Sequence, residues 1–305
     1  MQPMTSILDL LDRGLRLYRR GFVGLMLLTM AAALPLGFAL ALLFFAFEQV
    51  STTLALLALF GAFALGMPLS LYAMGALSRG ALMLAAGEPL RLRQALALGP
   101  LRVVGMGCYG TMFSLVAGTL VSALSGFIFC VFYLFLGAGI VAIASLGSLG
   151  GAAGEAVFSV LGSLVIFGFI MLYAATLVVN GAVYGSVVFA MQPFVHEELG
   201  FGGAIQRSLD LVGFRFGHNL LVFLCTSLVF GTAALAATIA LGILVPGPIL
   251  FLLGPESPVA RAVAGLAWVL GIAAAVPLLP IWMALLYHER RAIREGDDLV
   301  QALHP

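Results

Sequence analysis

The segment FVHEELGFGGAIQRSLDL, residues 194 to 211, carries side chains that could do acid–base or metal chemistry. Its charged or titratable residues are His196, Glu197, Glu198, Arg207 and Asp210. The letters HEEL invite comparison with the zincin signature, in which a second histidine four positions after the first completes a zinc-binding pair on one helical face. Position 200 is glycine, so that second ligand is missing, and the other histidines show no ligand spacing. The segment therefore predicts a solvated exit from a membrane rather than a zinc site.

Other motifs with chemical associations also have structural interpretations. GMGCYG, residues 105 to 110, fits the GxGxxG spacing of a dinucleotide loop but lies inside an apolar run, which favours close helix packing. Cys108, Cys130 and Cys225 also lie in apolar runs and are predicted to pack as small hydrophobic side chains. The serines between residues 103 and 193 have no basic partner in their runs. We therefore expect no catalytic residue, no cofactor and no metal, and no enzymatic activity.

The composition is that of a membrane protein. Of the 305 residues, 63% are hydrophobic and 9% are charged, whereas a soluble domain has about 25% charged residues. A helix needs about 20 apolar residues to cross the hydrocarbon core, and such runs recur along this chain. The net charge of +1 gives no reason to expect nucleic acid as a partner. We predict an all-α polytopic membrane helix bundle, with about six transmembrane helices and short cytoplasmic interfacial amphipathic helices.

The chain is predicted to form a single integral membrane domain, 1–305, built from three helical hairpins. The predicted parts are an interfacial helix at 6–20, hairpin one at 21–87 (spans 21–47 and 54–83), hairpin two at 88–200, and a last part at 201–305 with an interfacial helix, hairpin three (spans 216–244 and 260–287) and a cytoplasmic tail. The apolar stretch 103–193 leaves two alternatives open. It forms either two long spans joined around SLGSLGGAAGE or four shorter ones with breaks near Ser125 and Asn180. Asn180 is expected to bond a neighbouring helix.

The distribution of arginine predicts the orientation. Thirteen of the fourteen basic residues fall on one side of this scheme and only Arg261 falls on the other. Basic residues concentrate in cytoplasmic loops, so both termini are predicted to be cytoplasmic. Every basic residue is arginine, which is typical of GC-rich bacterial genomes, and we expect a multi-pass protein of the bacterial cytoplasmic (inner) membrane.

Two cytoplasmic stretches have recognisable patterns. EELGFGGAIQRSLDLV, 197–212, is similar to acidic-Gly…AL-x-RS-x-x-L, and LLYHERRAIREGDDL, 285–299, is similar to LY-x-D-x-R-x-R-x-EG-x-D-L. Together with the opening LLDRGLRLYRRGF, these stretches resemble the membrane domain family associated with bacterial glycerophosphoryl diester phosphodiesterases. The resemblance covers the membrane domain only and no catalytic barrel. It extends over most of the chain, while its specific motifs occupy about a tenth of it.

The resemblance implies a six-span membrane domain with a cytoplasmic structural motif. The residues at the positions of that motif are Arg207, Ser208, Tyr287, Glu289, Arg291, Glu295, Gly296 and Asp298. The chain departs from the pattern at Glu289, which replaces aspartate, at Ile293, where a second arginine is usual, and at Leu209, where an aromatic residue is common. Phosphodiesterase activity is not implied, because that chemistry belongs to a separate soluble barrel.

We predict that the two cytoplasmic stretches meet. Arg207 is expected to dock onto the carboxylates of Glu289, Glu295 and Asp298, because a guanidinium holds a carboxylate by two parallel hydrogen bonds. Arg291 and Glu295, four apart on one helical face, are expected to pair. On the interfacial helix, the residues expected to face lipid or protein are Ala204, Ile205, Ser208, Leu209 and Val212, and those expected to face water are Gln206, Arg207 and Asp210.

These features favour a non-enzymatic integral membrane scaffold or an accessory subunit of a membrane complex. The alternative is a transporter of lipid or small amphipathic molecules, which the proline-containing spans around Pro35, Pro68, Pro277 and Pro280 favour. The expected partners are membrane lipids and other membrane proteins or a second copy of the chain.

Overall fold

The computed structural model describes residues 3–47, 52–147, 152–254 and 257–295. This described part of the chain is all-α, with no β-strand. Its helices are α1 (Pro3–Phe47), α2 (Thr52–Ala85), α3 (Leu92–Leu96), α4 (Pro100–Gly147), α5 (Ala152–Ala190), α6 (Gln192–His196), α7 (Phe201–Gly213), α8 (Phe216–Ile239), α9 (Pro246–Leu253), α10 (Pro258–Ala275) and α11 (Leu278–Glu295), with a π-helical segment (Ala240–Leu244) between α8 and α9.

The first helix joins two parts that were predicted separately. The predicted interfacial helix 6–20 and the predicted span 21–47 form one continuous helix of 45 residues. Gly21 causes no break, because one glycine in a helix costs only about 1 kcal/mol and the turns on both sides continue the ladder of hydrogen bonds. The amphipathic and apolar parts of α1 therefore belong to the same helix.

The stretch 103–193 follows the first of the two predicted alternatives. It forms two long helices, α4 with 48 residues and α5 with 39 residues. Ser125 and Asn180, near which breaks were considered, both lie inside these helices. The expected bond from Asn180 to a neighbouring helix is wrong, since its Nδ2 donates to Thr176 O of the same helix at 2.8 Å.

The last predicted span is not one helix. Within 260–287, α10 ends at Ala275 and α11 begins at Leu278. Pro277 lies in the turn between them, and proline lacks the N–H that a continuous helix would use. Pro35 and Pro68, by contrast, lie inside the continuous helices α1 and α2.

Three helical stretches of the described residues are long and apolar enough to cross a membrane. They are Leu101–Leu134, Gly162–His196 and Phe216–Ala237, each with a mean hydropathy of 2.2. In the most apolar windows of the first two, no residue is buried inside the chain. These stretches indicate a membrane protein in which much of the α4–α5 hairpin faces outward.

The buried core lies where α1, α2, α5 and α11 meet. Trp282 of α11 is fully buried, and its Nε1 donates to Leu11 O of α1 at 3.1 Å. Gly14 of α1 faces the same indole, because a Cβ at Gly14 would lie 2.3 Å from Trp282 Cδ1. The missing side chain of Gly14 is what allows the indole to lie directly against the backbone of α1.

α5 and α8 pack closely at Gly181. A Cβ at Gly181 would lie 2.1 Å from Ser227 Oγ, and that hydroxyl donates to Val178 O at 2.8 Å. Gly181 therefore brings the backbones of α5 and α8 close together, as small residues do at the contacts of membrane helices.

Candidate functional site

The candidate site begins where α5 gives way to the short helix α6. Pro193 lies in the first turn of α6, the position in a helix where a missing N–H does no harm. The helix ends at His196, and Glu197 follows in an extended conformation. This change of direction carries the Glu197 side chain toward α7 and α11.

Four side chains from three parts of the chain form a closed ring of alternating charge. Arg207 of α7 contacts Glu197 at 3.5 Å and donates to Glu295 of α11. Arg291 of α11 donates to Glu295 at 2.9 Å and contacts Glu197 at 3.7 Å. We call these four residues, Glu197, Arg207, Arg291 and Glu295, the charge ring.

The charge ring is half-buried. The exposed fractions of the side chains are 11% for Glu197, 20% for Arg207, 32% for Glu295 and 36% for Arg291. The hydrogen bond to Glu295 raises the pKa of Arg291. Tyr287 of α11 donates its hydroxyl to Glu197, so this carboxylate receives three contacts in all. Partial burial makes such charge-assisted contacts stronger than those of exposed pairs.

The predicted docking of Arg207 is present with one of its three proposed partners. Glu295 binds Arg207 and also pairs with Arg291 as predicted. Glu289 makes no ion pair with Arg207 within the described residues, and its charge acts on Arg290 instead. Gly296 and Asp298 lie outside the described residues. Arg207 contacts Glu197 where Glu289 was predicted. Glu197 lies four residues before α7, and nothing in the sequence pattern predicted this contact.

The orientation of α7 differs from the prediction at Arg207. Ala204, Ser208 and Leu211 are the buried residues of this helix, whereas 56% of Leu209 is exposed. Ser208 Oγ lies 2.9 Å from the hydroxyl oxygen of Tyr109 on α4, within a buried hydrogen bond. Arg207, predicted to face water, is turned into the charge ring. The helix therefore packs on the bundle through the face that contains Ser208.

A buried polar chain leads from α2 to the charge ring, and the sequence prediction missed it. Gln192 Nε2 donates to Ser78 Oγ at 3.1 Å, and Gln192 Oε1 lies 2.9 Å from His196 Nε2. The His196 ring lies 5.4 Å from that of His288 and 6.0 Å from that of Tyr287, measured between centroids. In the sequence, only the spacing of Gln192 and His196, which are four residues apart with Pro193 between them, indicated that these two side chains could meet. This chain of contacts links α2, α6 and α11.

An open cavity of about 440 Å³ lies against the charge ring, lined in part by Glu197, Arg207 and Glu295. Asp210 also lines it and is bound by Arg294 at 3.0 Å. Three acids therefore converge at one surface, but each is bound by at least one arginine. Both oxygens of Glu295 are occupied, by Arg207 and Arg291. The arrangement suits the joining of helices better than proton transfer, which needs a carboxylate free to meet a substrate.

The described residues hold no group of three or more His, Cys, Asp and Glu side chains that could bind a metal ion. The three cysteines are free thiols, and Cys108 and Cys130 are exposed on α4. These two side chains lie on the outward face of α4, away from the buried core of the described residues.

Comparison of the chain with protein-family models, with curated proteins and with solved structures finds no match in any of the three.

Proposed function

We propose that the protein is a non-enzymatic integral membrane scaffold or an accessory subunit of a membrane complex, with the α4–α5 hairpin as its partner-binding part. The observation that carries this proposal is the outward exposure of the hairpin. In the most apolar windows of α4 and α5, none of the residues is buried inside the chain. Such faces contact lipid or the helices of another membrane protein.

The length of the hairpin supports a partner beyond lipid. A helix of about 20 residues crosses the hydrocarbon core, whereas α4 has 48 residues and α5 has 39. Arg102 is the one charged residue of α4, and Glu155 is the one charged residue of α5. An apolar hairpin of this length exceeds the bilayer unless it tilts steeply or is covered by protein.

Crosslinking in native membranes tests the proposal. A photoreactive benzoylphenylalanine is placed singly at four exposed positions of the hairpin, Leu115, Leu134, Phe167 and Tyr173. We expect discrete protein adducts from at least one of them, because a bound partner covers one side of the hairpin. Mass spectrometry of the adduct identifies the partner, which is either another membrane protein or a second copy of the chain.

Leu235 of α8 provides the matched control, since 62% of it is exposed on a helix that also qualifies as a membrane span. At this position we expect lipid adducts. If every hairpin position also gives lipid adducts alone, the scaffold proposal is wrong.

The proposal includes six spans and cytoplasmic termini in a bacterial inner membrane, as the arginine asymmetry favours. Single cysteines, Glu155→Cys and Glu198→Cys, are introduced in a background in which the three native cysteines are serine. An impermeant thiol reagent is expected to label position 155 from outside and position 198 only after the membrane is opened. Labelling of both from the same side would contradict this orientation.

A lipid or small-amphipath transporter is the second candidate, and one observation favours it. The predicted span 260–287 is interrupted by a turn between α10 and α11. A π-helical segment, Ala240–Leu244, packs against α10. Interrupted helices are typical of transporters, and π-helical turns often occur at functional sites. Lipid movement across proteoliposomes that contain the purified chain alone would favour this candidate.

The likeness of 197–212 and 285–299 to the phosphodiesterase-associated membrane domain also stays a proposal. The contact between Arg207 and Glu295 supports the expectation that these two stretches meet, because it joins one residue from each of them.

A further inference from the structure

The first turn of α8 is open and carries unused donors. Arg215 precedes the helix in the left-handed conformation, with φ 51°, and no side chain caps the turn. The amides of His218 and Asn219 both bond to Arg215 O, at 2.9 and 3.0 Å. The N–H groups of Phe216 and Gly217 have no backbone acceptor among the described residues. A Cβ at Gly217 would meet nothing within 4 Å, so this end of the helix is accessible.

A buried arginine lies behind this turn with part of its guanidinium unpaired. Arg290 of α11 is only 1% exposed, and its Nε donates to Asn219 Oδ1 at 2.9 Å. The second terminal nitrogen, Nη2, is buried without a hydrogen-bond partner. Asn219 also donates a hydrogen bond from its side-chain Nδ2 to Phe214 O at 2.8 Å. Asn219 therefore holds Arg290 against the junction of α7 and α8.

The positive charge at this junction is not neutralised. Burial lowers the pKa of Arg290, the charge of Glu289 opposes that effect, and the charge of Arg215 adds to it. Neither Arg215 nor Arg290 has an ion pair with a carboxylate in the described part of the chain. Arg294, one turn further along α11, is by contrast neutralised by Asp210 at 3.0 Å. A buried cation without a counter-ion is costly, so the junction favours an anion.

The position of the junction indicates which anion reaches it. α8 contains Phe216–Ala237, a stretch that is long and apolar enough to cross a membrane, so we expect its first turn at the level of the lipid headgroups. Exposed apolar side chains continue from this turn, with 58% of Phe216 and 42% of Leu220 exposed. The acyl chains of a phospholipid whose phosphate is bound at this turn would therefore run beside the apolar side chains of α8.

We propose that the N-terminus of α8, together with Arg215 and Arg290, binds a phosphate group, as carried by the headgroup of an anionic phospholipid. The free N–H groups of Phe216 and Gly217 and the exposed guanidinium of Arg215 contact the phosphate oxygens, in the manner of phosphate sites at helix N-termini. Arg290 strengthens the site from behind, because its charge in the low-dielectric interior is screened little. The site does not depend on a partner at the α4–α5 hairpin, so the two proposals fail independently.

The test measures binding by the purified full chain in detergent, by native mass spectrometry and by thermal melting. The probes are phosphatidylglycerol, diacylglycerol, which lacks the phosphate, and inorganic phosphate. The variants are Arg215→Gln and Arg290→Gln, with Arg93→Gln as a control that removes the same charge from an exposed site elsewhere. We expect phosphatidylglycerol to bind and to raise the melting temperature, and each site variant to weaken binding about tenfold. The control should change binding by no more than about twofold.

The probes separate the two sources of phosphate. Binding of phosphatidylglycerol without competition from inorganic phosphate supports a lipid headgroup, and competition by inorganic phosphate supports a site for the phosphate group alone. Binding of diacylglycerol as tight as that of phosphatidylglycerol, or equal binding by all three variants, would overturn the proposal. Arg215 is exposed, so Arg215→Gln still decides the question if Arg290→Gln does not fold, and Arg290→Lys keeps the buried charge for a second measurement.

Discussion

Replacing Glu197 by alanine is expected to lower the free energy of unfolding by about 2 kcal/mol, because two guanidiniums and a hydroxyl lose their shared partner. Arg207, Arg291 and the Tyr287 hydroxyl all contact this carboxylate. The Glu197 side chain is 11% exposed, so water replaces the lost contacts only in part. The loss should exceed that of an ordinary surface charge.

The neighbouring residue provides the matched control. The Glu198 side chain is 91% exposed, and among the described residues its one ion pair is with Arg102 at 3.4 Å. Glu198→Ala is therefore expected to change stability by less than about 0.5 kcal/mol. The free energy of unfolding of both variants is measured by reversible unfolding in detergent micelles. If the two variants lose the same free energy, the charge ring does not stabilise the packing of the helices that it joins.

Replacing Gly14 by alanine is expected to cost about 2 kcal/mol, although alanine is the better helix former by about 1 kcal/mol. The added Cβ would lie 2.3 Å from Trp282 Cδ1 and 2.4 Å from Nε1. The indole is fully buried and its Nε1 is bonded to Leu11 O, so it has little freedom to move aside. The substitution therefore pushes α11 away from α1.

Gly118 of α4 serves as the control for this substitution. It also lies inside a long helix, but a Cβ there would meet nothing within 4 Å. Gly118→Ala is expected to leave stability unchanged or to raise it by up to about 1 kcal/mol. Thermal melting of the two variants under the same conditions compares them, and a stabilised Gly14→Ala variant would show that α1 and α11 do not pack as described.

The helices were predictable because long apolar runs admit few alternatives in a membrane. A lipid-exposed backbone must satisfy its own hydrogen bonds, so each such run in 21–281 implied a helix. The helix boundaries were less predictable. Pro68 and Pro277 both lie in apolar runs, yet α2 continues through the first and the chain turns at the second. Whether a proline breaks a helix depends on the groups that surround it, which are distant in sequence.

The site was predicted in part for a similar reason. The arginine asymmetry predicted that 197–212 and 285–299 lie on one membrane face, and a guanidinium there was expected to bind a carboxylate. The partner within reach was Glu295 rather than Glu289, because α11 directs these side chains to different sides. Glu289 and Glu295 are six residues apart, and at about 100° per residue their side chains point about 120° apart around the helix axis.

The amino-acid sequence by itself determined the all-α class, the apolar helices and the pairing of Arg291 with Glu295, since each depends on composition or on spacing within one segment. Only the tertiary structure decided that Glu197 joins Arg207 to Arg291, that Gln192 reaches Ser78, and that Arg290 lies buried behind the first turn of α8. These contacts join residues between 10 and 114 positions apart. They depend on how α2, α7, α8 and α11 pack, and helix periodicity carries no information about the distance between two helices.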